Sequence, residues 1–274
     1  MVDDAGRTVT LQEPARRIVS LAPHITENLF TAGAGARVVG AVEYSDYPPP
    51  AARIPRVGNY NRINLEAVLE LEPDLVIAWR SGNPAGAAAR LEKLGLAVFY
   101  SEPETFRQVI ENIRKFSLLA GTEGVVGGKL ERFLADYDSL RERYGSRSPV
   151  RVFYQIWDNP LTTLNGRHLI SRALQACGGV NIFADLPLLA PRVNTEAVLE
   201  RNPEVILFGT RAERQPGWKQ AWRKWVTLDA VRHGHLNYVN PDNVNRQTVR
   251  LLAGMRSICE LLDGVRSSRL IGSE

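Results

Sequence analysis

Long hydrophobic runs are absent from this 274-residue chain. No apolar stretch approaches the roughly eighteen residues of a membrane-spanning helix, which excludes a helical integral membrane protein. An excess of one charge is lacking too: the net charge of +4 is spread without a basic block, which argues against a nucleic-acid partner or membrane-surface contact. There is no low-complexity segment, and 44% hydrophobic with 23% charged residues is the composition of an ordinary folded globular protein. The opening Met1-Val2-Asp3-Asp4 lacks the positive start and apolar stretch of a secretory signal. That leaves a cytoplasmic protein, or one whose leader has been removed.

Cysteine is scarce: Cys177 and Cys259 are the two, both in apparent helices of the second half. Such a count suits one disulfide in an oxidising compartment, and it suits two buried thiols nearly as well. Composition does not choose between them.

The motifs of the common enzyme classes are missing as well. No G-x-G-x-x-G follows a strand, no glycine loop ends in Gly-Lys-Ser/Thr, and no G-x-S-x-G elbow occurs. Gly33-Ala34-Gly35 and Gly178-Gly179 come after helices, where glycine ends the helix. His233 and His235 form one H-x-H without the further ligands of a zinc site and read as turn residues. Neither cysteine has a nucleophile's context. The expectation is a protein that is not an enzyme and carries no cofactor.

What is present is alternation. Short apolar runs at Arg17–Leu21, Val38–Val42, Leu75–Trp79 and Ala97–Tyr100, then at Val150–Ile156, Val205–Phe208 and Leu236–Val239, read as strands separated by amphipathic helices, the pattern of parallel β-α units. The segment Ile63 to Asp74 recurs as Val193 to Glu204 at a constant offset of 130 residues. Each copy reads as a short helix begun by an asparagine cap and stopped before a proline, then a strand. Between the halves, Leu130, Phe133, Leu134, Tyr137, Leu140 and Tyr144 lie at helical spacing on one long amphipathic helix. The fold class is therefore α/β: an N-terminal lobe over 1–118, a connecting helix over 119–147 and a C-terminal lobe over 148–274, with a stiff connector that allows only small hinge motion.

Open parallel sheets hold ligands beyond the carboxyl ends of their strands, and those positions here are aromatic and polar. Pro23-His24 follows the first strand, Tyr44 to Pro49 the second, Trp79-Arg80 the third, and Trp157 to Pro160 the first strand of the second lobe, with Tyr60, Asp242 and Arg246 in comparable loops. One aromatic at a strand end is ordinarily packing. Several of them, with a few polar groups, are what a site for a large planar ligand requires. Glu66 and Glu196, equivalent in the repeat, fit a favourable helix dipole and fit equally a pair of acids, one per lobe, facing two basic sites on a partner.

The chain resembles the helical-backbone class of substrate-binding proteins, which serve ABC importers of cobalamin, ferric siderophores and haem. The residues that carry the resemblance are Arg17 to Pro23 with Thr26-Glu27, Gly40 to Pro49, Asn64-Leu65-Glu66, Pro73 to Ile77, Cys177-Gly178-Gly179 and Asn181-Ile182-Phe183. It is most similar to the cobalamin-binding branch, through Tyr44 to Pro49, Ile77 to Arg80 and the two cysteines. The resemblance implies two Rossmann-like lobes joined by one long helix, with a cleft between them for a corrinoid, and an extracytoplasmic, monomeric carrier. It implies that Cys177 and Cys259 are joined, a bond worth roughly 3–5 kcal/mol at their 82-residue separation. Tyr47, Trp79, Asp242 and Arg246 match ligand-lining positions, and Glu66 and Glu196 match acids that dock on the membrane permease dimer. Two positions depart: Tyr60 and Ala190 stand where the branch has tryptophan, and lost ring area puts affinity or ligand in question. His24 stands where a small residue is expected and is a candidate axial ligand to a metal carried by the ligand. Haem or a ferric siderophore, with Arg80 and Arg246 facing an anion, is the alternative ligand. A cytoplasmic α/β enzyme using His24 or Asp46 as acid or base is the remaining class.

Overall fold

The computed structural model describes residues 1–59, 61–210 and 217–271. The chain divides into two compact units, 1–134 with 247–249 and 135–246 with 250–274. Each is described on its own.

In the first unit, β1 (Ile18–Ser20), α1 (Pro23–Thr31), β2 (Val38–Ala41), the short hairpin β3 (Gly58–Asn59) and β4 (Arg62–Ile63), α2 (Leu65–Glu70), β5 (Leu75–Trp79), α3 (Ala87–Lys93), β6 (Val98–Ser101) and α4 (Phe106–Leu119) lead into α5 (Glu123–Tyr144). The four main strands form a parallel sheet in the order β2-β1-β5-β6. Their β-branched residues explain the choice: Val19, Val76 and Val98 are buried and join Val57, Val68, Ala88 and Leu91 in one core. Strands covered by helices on both faces need such near-continuous apolar runs.

The second unit repeats the plan with β7 (Val150–Gln155), the hairpin β8 (Trp157–Asp158) and β9 (Leu161–Thr162), α6 (Leu169–Ala176), β10 (Gly179–Asn181), α7 (Thr195–Arg201), β11 (Val205–Phe208), α8 (Trp218–Arg223), α9 (Asp229–Arg232), β12 (Leu236–Tyr238), α10 (Pro241–Val244) and α11 (Leu251–Ile271). Its parallel order is β10-β7-β11-β12, strand for strand the order of the first sheet. The core is more aromatic, built on Phe153, Phe183, Phe208, Trp218 and Trp222. The Trp222 Nε1 donates to Gln155 Oε1 at 2.7 Å, satisfying a donor that burial would otherwise penalise.

The 130-residue repeat is physical as well as textual. Asn64 and Asn194 both cap, their side-chain oxygens accepting from Ala67 N and Ala197 N. Val68 and Val198 are each fully buried, and Glu72 and Asn202, directly before the prolines, both take left-handed backbone with φ of 42° and 38°. In each unit an acid after that proline binds the start of the central strand: Asp74 accepts from Arg16 N at 2.7 Å and Arg17 N at 3.0 Å, and Glu204 from Arg151 N at 2.9 Å. Arg17 and Arg151 then donate through Nε to Leu71 O and Asn202 O.

Three expectations shift. The strand β10 was not expected, because Gly179-Val180-Asn181 offers one apolar residue and it faces water. The long helix runs over Glu123–Tyr144, inside the expected 119–147, and takes in Gly124, Gly127 and Gly128 ahead of the stripe at Leu130, since buried Val126 outweighs their low helix propensity. Cys177 caps the end of α6 instead of lying inside it.

Cys177 and Cys259 are joined, linking the end of α6 to α11. Gly178 must be glycine on two counts: its φ is +73°, and a Cβ there would fall 2.6 Å from Arg266 Nη2. That guanidinium, itself buried, donates to Cys177 O and Ser148 O at 2.8 Å each. Among the described residues no helix is long and apolar enough to cross a membrane.

Candidate functional site

The carboxyl edge of the first sheet is assembled by three loops. After β1 the chain turns at Pro23, which starts α1, and Ser20 Oγ, Thr26 Oγ1 and Ser45 Oγ form a buried hydroxyl chain, with Thr26 donating to Ser20 at 2.8 Å and lying 3.1 Å from Ser45. That chain ties the Tyr44–Pro48 loop beyond β2 to the first turn of α1. From the outer side, Arg56 Nη2 donates to Ser45 O at 3.0 Å. Held this way, the loop exposes its rings: Tyr44 is 60% and Tyr47 43% exposed, Tyr44 has a φ of 64°, and Tyr47-Pro48 is cis. A bulky residue in the left-handed region costs on the order of 1–3 kcal/mol and collects at functional sites.

Trp79, the last residue of β5, stands beside this loop's anchor. His24, 4% exposed, packs edge-on against it with ring centroids 5.1 Å apart and planes at 87°. His24 Nε2 is buried. Its part as a ligand to a bound metal stays a separate proposal.

The second sheet's edge is built differently. Trp157 begins the β8–β9 hairpin, 40% exposed, and its Nε1 donates to Asn159 O at 2.9 Å across the cis Asn159-Pro160 turn. Beyond β12, Asn240 caps α10 by accepting from Asp242 N at 3.0 Å. Asp242 lies in that first turn and Arg246 just past the helix, and Asn245 Nδ2 ties the segment to the end of β11 through Gly209 O at 2.9 Å. Tyr238, 39% exposed at the end of β12, is an edge aromatic that the sequence reading passed over because Leu236–Val239 reads as strand interior.

Glu66 and Glu196 occupy the same place in the two units, the second residue of α2 and of α7, both exposed. Tyr60 lies outside the described residues. Ala190 is exposed. Among the described residues no group of three His, Cys, Asp or Glu side chains could hold a metal ion.

Chemically, the two edges offer exposed ring faces plus a few fixed polar groups. His24 packs against Trp79, and His235 binds Glu204 O through Nδ1 and Ser268 through Nε2.

A profile of the periplasmic binding protein family matches residues 18–242. The chain is 39% identical to the vitamin B12-binding protein of Vibrio cholerae serotype O1 over 250 residues, 91% of this chain and 90% of that protein. It is 32% identical to the vitamin B12-binding protein of Yersinia pestis over 253 residues, 92% and 88% of the two chains. The solved periplasmic vitamin B12-binding protein of Vibrio cholerae superposes with a TM-score of 0.85 at 38% identity, covering 92% of this chain and 98% of that one. A periplasmic haem-binding protein from Roseiflexus superposes at 0.79 with 21% identity, covering 92% and 99%, a likeness of fold alone. This chain belongs to the periplasmic binding protein family.

Proposed function

We propose that this protein is an extracytoplasmic carrier that captures a corrinoid, vitamin B12 or cobinamide, and delivers it to the permease of an ABC importer without chemical change. The observation that carries the reading is the set of exposed aromatics, Tyr44, Tyr47, Trp157 and Tyr238, with half-buried Trp79, at the carboxyl edges of the two sheets. Rings of this size left in water stabilise the protein only when something covers them, and each can bury roughly 150–250 Å². A corrin is large, semi-planar and rimmed with amides. Its edge and faces suit the rings, and its amides suit Asp242 and Arg246. Kinship with vitamin B12-binding proteins over nine-tenths of the chain supports the same ligand.

The test is a visible absorption spectrum after incubation with cyanocobalamin and removal of free ligand, with haemin in parallel. Retained corrinoid colour is the expected result. Haemin retained in its place sinks the corrinoid reading and moves attention to His24, and retention of neither sinks it and moves attention to ferric siderophores. Trp79→Ala is expected to weaken cyanocobalamin binding by about 10- to 100-fold in titration calorimetry, the loss typical of a central aromatic anchor.

Glu66 and Glu196 serve delivery in this reading, presenting one carboxylate from each unit to basic residues of the permease. Reversing both charges, Glu66→Lys with Glu196→Lys, should leave cyanocobalamin affinity unchanged and abolish most of the uptake in cells that carry the importer. Uptake that survives the double reversal would remove these acids from the docking surface.

A further inference from the structure

We infer that Gly82, Asn83 and Glu102 are positioning residues that fix the Trp79 indole as a preset face for the ligand, so that affinity is set in part by residues that never touch it. The inference rests on the corrinoid reading for the ligand's identity.

The seat is visible from three directions. Beneath the ring, a Cβ on Gly82 would lie 2.0 Å from Trp79 Cε3, 2.2 Å from Cδ2 and 2.3 Å from Cζ3; the indole therefore lies flat on the glycine. Gly82 is not among the glycines with positive φ, so its backbone accepts alanine and only the ring forbids it. At the nitrogen end, the Glu102 carboxylate accepts from Trp79 Nε1 at 3.4 Å, from Ser81 N at 2.7 Å and from Ser81 Oγ at 3.0 Å. It is itself anchored, since Glu102 N donates to Asp4 Oδ2 at 2.7 Å. On the main chain, Asn83 Oδ1 accepts from Trp79 N at 2.7 Å while Asn83 Nδ2 donates to Leu21 O at 2.8 Å, clamping the loop after β5 onto the end of β1. His24 packs against the indole with its plane nearly perpendicular to it.

Two consequences follow from the chemistry. With Nε1 directed to Glu102, Trp79 meets a ligand through its π face and edge, which selects for apolar and polarisable ligand surface over a hydrogen-bonding group. With the ring already held, binding does not have to order it, and that preorganisation raises affinity.

The test uses the full chain labelled with 5-fluorotryptophan. Its five tryptophans give five fluorine resonances, and Trp79 is assigned by its loss in Trp79→Phe. Gly82→Ala should shift the Trp79 resonance and leave the other four in place, and cyanocobalamin should shift the same resonance in the unmutated protein. By calorimetry, Gly82→Ala and Glu102→Ala should each weaken cyanocobalamin binding about tenfold, while Glu102→Gln, which keeps an acceptor for Nε1 and Ser81, should restore most of the loss. In a Trp79→Ala background Gly82→Ala should add nothing, because coupled residues are not additive. A Trp79 resonance unmoved by Gly82→Ala, or an equal loss of affinity with and without the indole, overturns the inference. Failure of the unmutated protein to bind cyanocobalamin overturns the corrinoid reading instead, and the fluorine spectrum still decides whether Gly82 and Glu102 seat the ring.

Discussion

Removing the Cys177–Cys259 bond is expected to lower the unfolding free energy of the second unit by about 4–5 kcal/mol. The bond closes an 82-residue separation, and the chain-entropy relation for a loop of that size gives this value through the freedom returned to the unfolded chain. The polar ties of α11, Arg269 to Glu204 and to Pro149 O among them, act only once the chain has folded. Arg266 bridges α11 to Cys177 O and Ser148 O, yet that guanidinium is held down by its own desolvation. Buried Met255, Ile258 and Leu262 keep α11 docked once folding has occurred. They do not shorten the loop that must close first. In urea, where a unit of this size loses about 2 kcal/mol per molar, a Cys177→Ala, Cys259→Ala variant should unfold about 2 M earlier, with a slope that rises slightly because the released unfolded chain exposes more surface. A shift below about 0.5 M would mean that helix packing alone fixes α11. The bond also bears on address, because such a linkage persists in an oxidising compartment, in keeping with the extracytoplasmic role proposed above.

The sheet plan was legible because its causes are local. Runs such as Leu75-Val76-Ile77-Ala78 are fully buried in the structure, and a continuous apolar run can be read without knowing its neighbours. The repeat at offset 130 was legible for the same reason, its signals being an asparagine cap, one buried valine and a proline within twelve residues. What stayed hidden depends on partners distant in sequence. The strand β10 exists through its pairing with β7, and Gly179 packs where a Cβ would come within 2.9 Å of Leu262 Cδ1. Nothing in its own three residues announces a strand. The site shows the same divide. Trp79, Tyr47 and Trp157 were legible as aromatics at strand ends. Glu102 is 23 residues from the ring it holds, and Gly82 reads as an ordinary turn glycine until the indole is seen lying on it.

His168 gives the second large effect, and its sign follows from burial. The imidazole caps α6, with Nδ1 accepting from Ile170 N at 3.1 Å, and desolvation pushes its pKa down to about 4. Protonation would be resisted twice more, because Nδ1 would become a donor facing a donor, at a helix N-terminus that disfavours positive charge. In the unfolded chain the same group titrates near 6.5. Below that pH the unfolded state takes up a proton that the folded state refuses, so stability is complete above about pH 6.5 and falls as the pH drops toward 4. The full loss is about 3 kcal/mol, of which roughly 1.5 kcal/mol falls between pH 6.5 and 5, above the range where most carboxylates titrate. His168→Asn is the informative variant, because asparagine keeps a capping acceptor and cannot take the proton. Urea unfolding at pH 6.5 and pH 5 should therefore show a destabilisation in the unmutated protein that is smaller by roughly 1.5 kcal/mol in His168→Asn. Parallel losses in the two proteins would assign the acid sensitivity to carboxylates and leave His168 a cap alone.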